Sequence, residues 1–222
     1  MTTASSTASK SSALQPPARE RYKTILLFGP PGAGKGTQGK ILGSIPGFYH
    51  LACGDVFRSI DINSPLGKAF YEYSSRGELV PDDLTIEMWR QNMSAQTILS
   101  LYKPHVDLLV LDGIPRNLGQ AKAMDQYIEV LGIVYLRCHN LEEMVHRMKR
   151  RALKENRLDD VDEKVVRKRF EIYDRETAPV LKHYPKNIIH EVDASGSPAQ
   201  VLAHVLEVVA PIQEKHFKTG ME

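Results

Sequence analysis

The amino-acid sequence predicts an α/β fold in three layers, with a parallel five-stranded sheet covered by helices on both faces. Two observations carry this expectation. Five short apolar runs, at residues 24–28, 47–51, 106–111, 132–138 and 187–193, alternate with longer stretches of helical character. Strands separated by helices imply right-handed crossovers and parallel pairing. The first run also ends in a glycine-rich string, Gly29-Pro30-Pro31-Gly32-Ala33-Gly34-Lys35-Gly36-Thr37, that leads into helix-forming residues 38–42. A buried strand, a glycine turn and a helix start, in that order, build a cradle for an anion. Glycines let successive backbone N–H groups converge, and the helix adds its positive end. Lys35 at the mouth can reach the outer phosphates of a nucleoside triphosphate.

The remaining elements follow from local signals. After the strand at 47–51, residues 54–60 read as a helix carrying Arg58. Ser64 and Pro65 are favourable N-cap and N1 residues for a helix running to Arg76. Residues 77–81, Gly-Glu-Leu-Val-Pro, form a turn before a long helix over 82–99. The strand at 106–111 ends in Asp112-Gly113-Ile114-Pro115-Arg116, and a helix is expected over 117–129. A helix with a basic end over 141–152, a polar break at 153–163, a long helix over 165–184 and a last helix over 198–209 complete the chain, which shows no internal repeat.

Composition narrows the class. The 222 residues are 42% hydrophobic and 25% charged with a net charge of +2, which suits one domain with insertions and gives no argument for attraction to nucleic acid or membrane. Two cysteines, Cys53 and Cys138, lie far apart without a C-x-x-C pair, which points to a reducing, cytoplasmic setting without structural zinc. No apolar run approaches the ~20 residues of a membrane span. Residues 1–20 are Ser/Thr-rich and lack an acid before Glu20. They read as a disordered tail, with an organelle transit peptide as the minor alternative.

In open parallel sheets ligands bind beyond the carboxyl ends of the strands, so the glycine loop and Asp112 are expected to be neighbours. Asp112 then orients magnesium, directly or through water, or else caps the next helix. The lysine of most such loops is followed at once by Ser or Thr, whereas here Gly36 intervenes before Thr37. Either phosphates and waters hold the metal, or another residue helps. Arg147 and Arg151 are four apart and share a helix face, and Arg157 and Arg169 bracket the polar break. They form a solvated basic face, or they neutralise phosphates during transfer between two polyanions.

These blocks together resemble a family. GPPGAGKGT, His50-Leu51-Ala52-Cys53-Gly54-Asp55 with Arg58, Gly77-Glu78-Leu79-Val80, DGIPR with Gln120, and Arg157-Leu158-Asp159-Asp160 look like adenylate kinase, in that family's order, over residues 21–210. The resemblance implies a P-loop nucleoside monophosphate kinase domain over 21–212 that transfers a phosphoryl group from MgATP to AMP, giving two ADP. It implies that ATP is held by Gly32, Ala33, Gly34, Lys35, Gly36, Thr37, Arg147, Arg151 and Gly196, and Mg2+ by Asp112 through water. AMP would meet Cys53, Arg58, Glu78, Leu79, Val80, Gly113, Ile114, Pro115, Arg116, Gln120, Arg157 and Arg169. Lys35, Asp112, Arg116, Arg151, Arg157 and Arg169 would carry catalysis. Two mobile insertions are implied, an AMP-binding piece at 54–80 and a short, cysteine-free lid at 152–163, in a monomeric cytoplasmic enzyme.

Departures from the family pattern are Cys53 for Thr, Ile114 for Phe, Asn156 for Gly, and one extra residue between Arg157 and Arg169. A UMP/CMP kinase is the nearest alternative, because Asn117 echoes its DGFPRN-like string. Gln120 argues for adenine, since a carboxamide offers one donor and one acceptor to N1 and the 6-amino group. An RNA-binding role for the basic stretch 147–154 is opposed by the acids that follow and by the lack of interleaved aromatics.

Overall fold

The computed structural model describes residues 21–155, 157 and 160–217. The expected tail at 1–20, and Asn156, Leu158 and Asp159 of the expected lid, lie outside these residues. Five strands, β1 (Tyr22–Phe28), β2 (Phe48–Ala52), β3 (Leu108–Asp112), β4 (Ile128–Arg137) and β5 (Ile189–Asp193), form one sheet in the order β2-β3-β1-β4-β5. Every neighbouring pair is parallel. The eight α-helices of the described residues are α1 (Lys35–Leu42), α2 (Cys53–Ser59), α3 (Pro65–Ser75), α4 (Asp82–Ile98), α5 (Leu118–Met124), α6 (Leu141–Glu155), α7 (Glu163–Ile172) and α8 (Pro198–His216).

Alternation along the strands sorts the core into two layers. Leu26, Phe28, Leu109 and Leu111 face Trp89, Met93 and Tyr102 on one side. Ile25, Leu27, Val110 and Leu136 face Leu42 of α1 and Val201, Val205 and Val209 of α8 on the other. A third, small cluster of Met144, Met148, Val166 and Phe170 joins α6 to α7. It lets the two helices carry their arginines as one body.

Helix starts obey the capping signals. Ser64 accepts a hydrogen bond from the Gly67 amide at 3.0 Å with Pro65 following it, and Ser197 forms a full capping box with Gln200. Two expected helices are corrected. The helix expected over 117–129 ends at Met124, and Ile128 begins β4 by pairing with Tyr22 of β1. The β-branched run Ile128, Val130, Ile133 and Val134 is worth more in the sheet than as helix. The helix expected over 165–184 ends at Ile172, passes through a π turn at Tyr173–Thr177 and tightens to a 3-10 turn at Ala178–His183. Pro179 lacks the N–H that a continuing helix needs. Thr177 instead donates its hydroxyl to the Arg116 carbonyl at 2.7 Å, which docks this turn on the loop after β3.

Candidate active site

The chain order reverses beside β1, whose neighbours are β3 and β4, so the loops after β1 and β3 open a crevice at their carboxyl ends. That crevice is one cleft of about 900 Å³. Gly34, the residue before α1, has φ +97°, a backbone that a side chain would strain although nothing would block it. Lys35 folds its ammonium back onto the loop, donating to the carbonyls of Gly29 at 2.7 Å and Pro30 at 3.1 Å. Burial lowers its pKa to about 8, with Asp112 acting in the opposite sense and Arg116, Arg151 and Arg169 adding to the depression.

Asp112 closes β3 and is 8% exposed. Its Oδ2 would lie 3.8 Å from a Cβ built on Gly36, so the carboxylate sits over the residue where a hydroxyl is usual. The cap of α5 is Asn117, which accepts from the Gln120 amide at 2.8 Å. The capping alternative for Asp112 is thereby removed. Among the described residues no group of three or more His, Cys, Asp and Glu side chains is placed to hold a metal. One carboxylate beside a phosphate cradle suits a magnesium ion that keeps its waters and phosphate ligands, not a protein cage.

Arginines line the cleft from α2, the loop after β3, α6, α7 and the segment between α6 and α7, and acids hold most of them. Asp160, fully buried, accepts from Arg151 Nε at 2.8 Å and Nη2 at 2.5 Å, and also from Arg169 Nη1. Asp55 accepts from Arg58 Nη2 at 2.7 Å and Arg157 Nη2 at 3.1 Å. Although burial opposes it, the Arg58 hydrogen bond, with the charges of Arg58, Arg157 and Lys40, holds the Asp55 carboxyl below the usual range. Arg147 reaches the Ala194 carbonyl at 3.1 Å and Glu143 at 2.5 Å. Arg116 Nε donates to the Gly113 carbonyl at 2.8 Å. The basic stretch weighed above as an RNA patch is thus largely compensated, because Lys149 also pairs with Glu163.

Every site residue read from the sequence lines this single cleft: the loop Gly32 to Thr37, Arg147, Arg151, Gly196, Cys53, Arg58, Glu78, Leu79, Val80, Asp112, Gly113 to Arg116, Gln120, Arg157 and Arg169. Arg169 meets Arg151 on Asp160 despite the extra residue in the segment before it. Cys53 and Ile114, both 2% exposed, form apolar wall, and burial pushes the Cys53 thiol up to about 12, which leaves it inert. Glu78 turns its carboxylate to Lys168 and Arg76. The Gln120 amide is held at both ends, Oε1 accepting from the Arg116 N–H at 2.7 Å and Nε2 donating to Asp82 Oδ1 at 2.9 Å.

Sequence reasoning missed Asp55, Asp82 and Asp160. Asp55 and Asp160 stand inside blocks already singled out, and an acid close in sequence to an arginine of its own block, Arg58 or Arg157, was the available signal. Nothing local marked Asp82, whose partners lie 35 and 38 residues away.

The model of the family described as Adenylate kinase matches residues 27–189. An Adenylate kinase of Thermus thermophilus is 36% identical over 190 residues, covering 82% of this chain and 95% of that protein. An Adenylate kinase of Thermobifida fusca is 36% identical over 183 residues, covering 80% and 93%. One from Flavobacterium psychrophilum is 34% identical over 192 residues, covering 83% and 97%. Matches of this extent span the glycine loop, Asp112 and the arginine-bearing helices alike, and the chain belongs to the adenylate kinase family.

Proposed function

We propose that the protein catalyses MgATP + AMP ⇌ 2 ADP, with the donor on the α6 side of the cleft and the acceptor on the α2, α3 and α5 side. The observation that carries this is the convergence of a glycine loop and its lysine, a carboxylate and several guanidinium groups on one cleft. An acceptor phosphate is already an anionic nucleophile at neutral pH, so no protein base is needed. Catalysis is alignment plus neutralisation of charge.

In this reading Gly32 to Thr37 wrap the donor phosphates, and Lys35 exchanges the Gly29 and Pro30 carbonyls for phosphate oxygens. Arg147 and Arg151 lie over the donor nucleotide, and the backbone at Gly196 meets its base. Arg58, Arg116, Arg157 and Arg169 take the acceptor and transferring phosphates, while Glu78 to Val80 and Gly113 to Pro115 flank the acceptor nucleoside. Asp112 would hold Mg2+ through water, and the ion would supply neutralisation of the charge on the donor phosphate oxygens. Arginine forks suit the trigonal phosphoryl group better than ammonium groups do.

The segments 54–80 and 152–163 are assigned as the moving pieces that close over AMP and ATP and exclude water. The Arg157 to Asp55 ion pair at 3.1 Å joins the two segments to each other. The protein is assigned as monomeric and cytoplasmic, and the ion pairs along the basic stretch argue against a nucleic-acid partner. No helix of the described residues is long and apolar enough to cross a membrane.

For the acceptor base, Gln120 favours adenine. Asn117, which echoes the UMP/CMP kinases, is occupied as the α5 cap and as a donor to Asp82 at 2.7 Å. The test is a coupled assay with MgATP and AMP, UMP or CMP. AMP is expected to give the highest kcat/KM by orders of magnitude, and comparable values for UMP or CMP would overturn the assignment.

A further inference from the structure

The Gln120 side chain is 1% exposed and lies along the cleft with two of its hydrogen-bonding positions filled. A carboxamide has two N–H donors and two acceptor lone pairs, so one of each remains. The two partners that fill the other positions are unambiguous. The Arg116 backbone N–H only donates, and it meets Oε1 at 2.7 Å. The Asp82 carboxylate only accepts, and it meets Nε2 at 2.9 Å.

Each partner is itself fixed. The Arg116 carbonyl accepts the Thr177 hydroxyl at 2.7 Å. Asp82 Oδ1 also accepts from Asn117 Nδ2 at 2.7 Å, and Asn117 cannot turn over, because its Oδ1 accepts from the Gln120 backbone N–H at 2.8 Å. Room for the carboxylate comes from Gly119, where a Cβ would stand 2.8 Å from Asp82 Oδ2. The chain of partners therefore runs from one backbone N–H to another with no member free to exchange donor for acceptor.

Orientation of this amide matters for the base it reads. Adenine offers an acceptor at N1 and a donor at its 6-amino group, whereas a 6-oxopurine offers a donor at N1 and an acceptor at O6. A glutamine free to turn over would serve both equally well. Turned over here, it would set Oε1 against the Asp82 carboxylate and its NH2 against the Arg116 N–H, losing both bonds and adding two repulsive contacts. We infer that Asp82 is a specificity-determining positioning residue, which locks the Gln120 amide in the one orientation that accepts 6-aminopurine and rejects 6-oxopurine monophosphates.

This inference rests on Gln120 facing the acceptor base. The experiment compares kcat/KM for AMP and for IMP, which differ only at the 6 position and the N1 proton, in the full-length wild-type protein and in Asp82→Ala and Asp82→Asn. The AMP:IMP ratio is expected to fall about tenfold or more in Asp82→Ala, because a buried amide loses its one charged orienting partner. It should fall less in Asp82→Asn, which keeps an uncharged acceptor at the same place. Should the alanine variant not fold, a drop of about threefold in the isosteric variant carries the test. An unchanged ratio, with KM rising equally for both nucleotides, would reduce Asp82 to a structural role and overturn the inference. A wild-type protein with no preference for AMP over IMP would instead overturn the assignment of Gln120 itself.

Discussion

Asp160→Asn perturbs the arginine pair at its single shared anchor. The carboxylate is fully buried and accepts two N–H groups from Arg151 and one from Arg169, whose side chains keep 28% and 18% exposure. A charge-assisted hydrogen bond contributes about 1.5–3 kcal/mol. Asparagine retains one acceptor oxygen but turns an NH2 toward a guanidinium, and partial hydration of both arginines offsets some of the loss. A net destabilisation of about 2–4 kcal/mol follows. For a domain of this size that lowers Tm by roughly 5–15 °C. Catalysis should suffer separately, because Arg151 would no longer be held at a preset position beside the cleft and Arg169 would lose the bond that registers it to Arg151, and kcat should fall about 10- to 10³-fold. Differential scanning calorimetry and a coupled assay run well below the new Tm measure both effects. A Tm within about 1 °C of wild type would refute the energetic argument. A lowered Tm with kcat unchanged would refute the positioning role.

Lys35 makes nucleotide binding depend on pH. Burial lowers it to about 8 in the free protein, and bound phosphates should return it toward its ordinary 10.5. Between those values the complex holds more protons than the free protein, so affinity for MgATP falls as pH rises through about 8. Calorimetry near pH 9 in buffers of different ionisation enthalpy should show uptake approaching one proton, absent at pH 6.5 and absent in Lys35→Met. Asp112→Ala should lower turnover about 10²-fold or more and raise the magnesium concentration for half-maximal rate, while ATP binding in EDTA changes little. An unchanged magnesium requirement would contradict the place given to that carboxylate.

The glycine loop, the strands and the residues of the cleft were legible because each rests on a short-range rule. An apolar run followed by a glycine turn admits few structures, and Asp112 and Arg116 follow their strand directly. Boundaries were less so. Residues 125–129 carry helical character, yet pairing with Tyr22 claims Ile128 for the sheet, a contact more than 100 residues away in sequence. The break after Ile172 combines a local signal, Pro179, with the tertiary contact of Thr177 to Arg116. Acids were the largest omission. An arginine beside a phosphate site is visible in a motif, but the aspartate that holds it is chosen by geometry. Asp55 takes Arg157 from 102 residues away, and Asp82 serves Gln120 from the start of α4. Asn117 shows the converse, since a residue that hinted at a different acceptor base is engaged as a helix cap.

The central claim is that the phosphoryl group passes to a nucleotide inside a cleft that shuts out water. Incubating the protein with ATP labelled at the γ-phosphate and unlabelled AMP tests it most directly. Label should appear in the β-phosphate of ADP, with two ADP formed for each AMP consumed and almost none released as inorganic phosphate. Label accumulating chiefly as inorganic phosphate, with AMP unconsumed, would contradict the account.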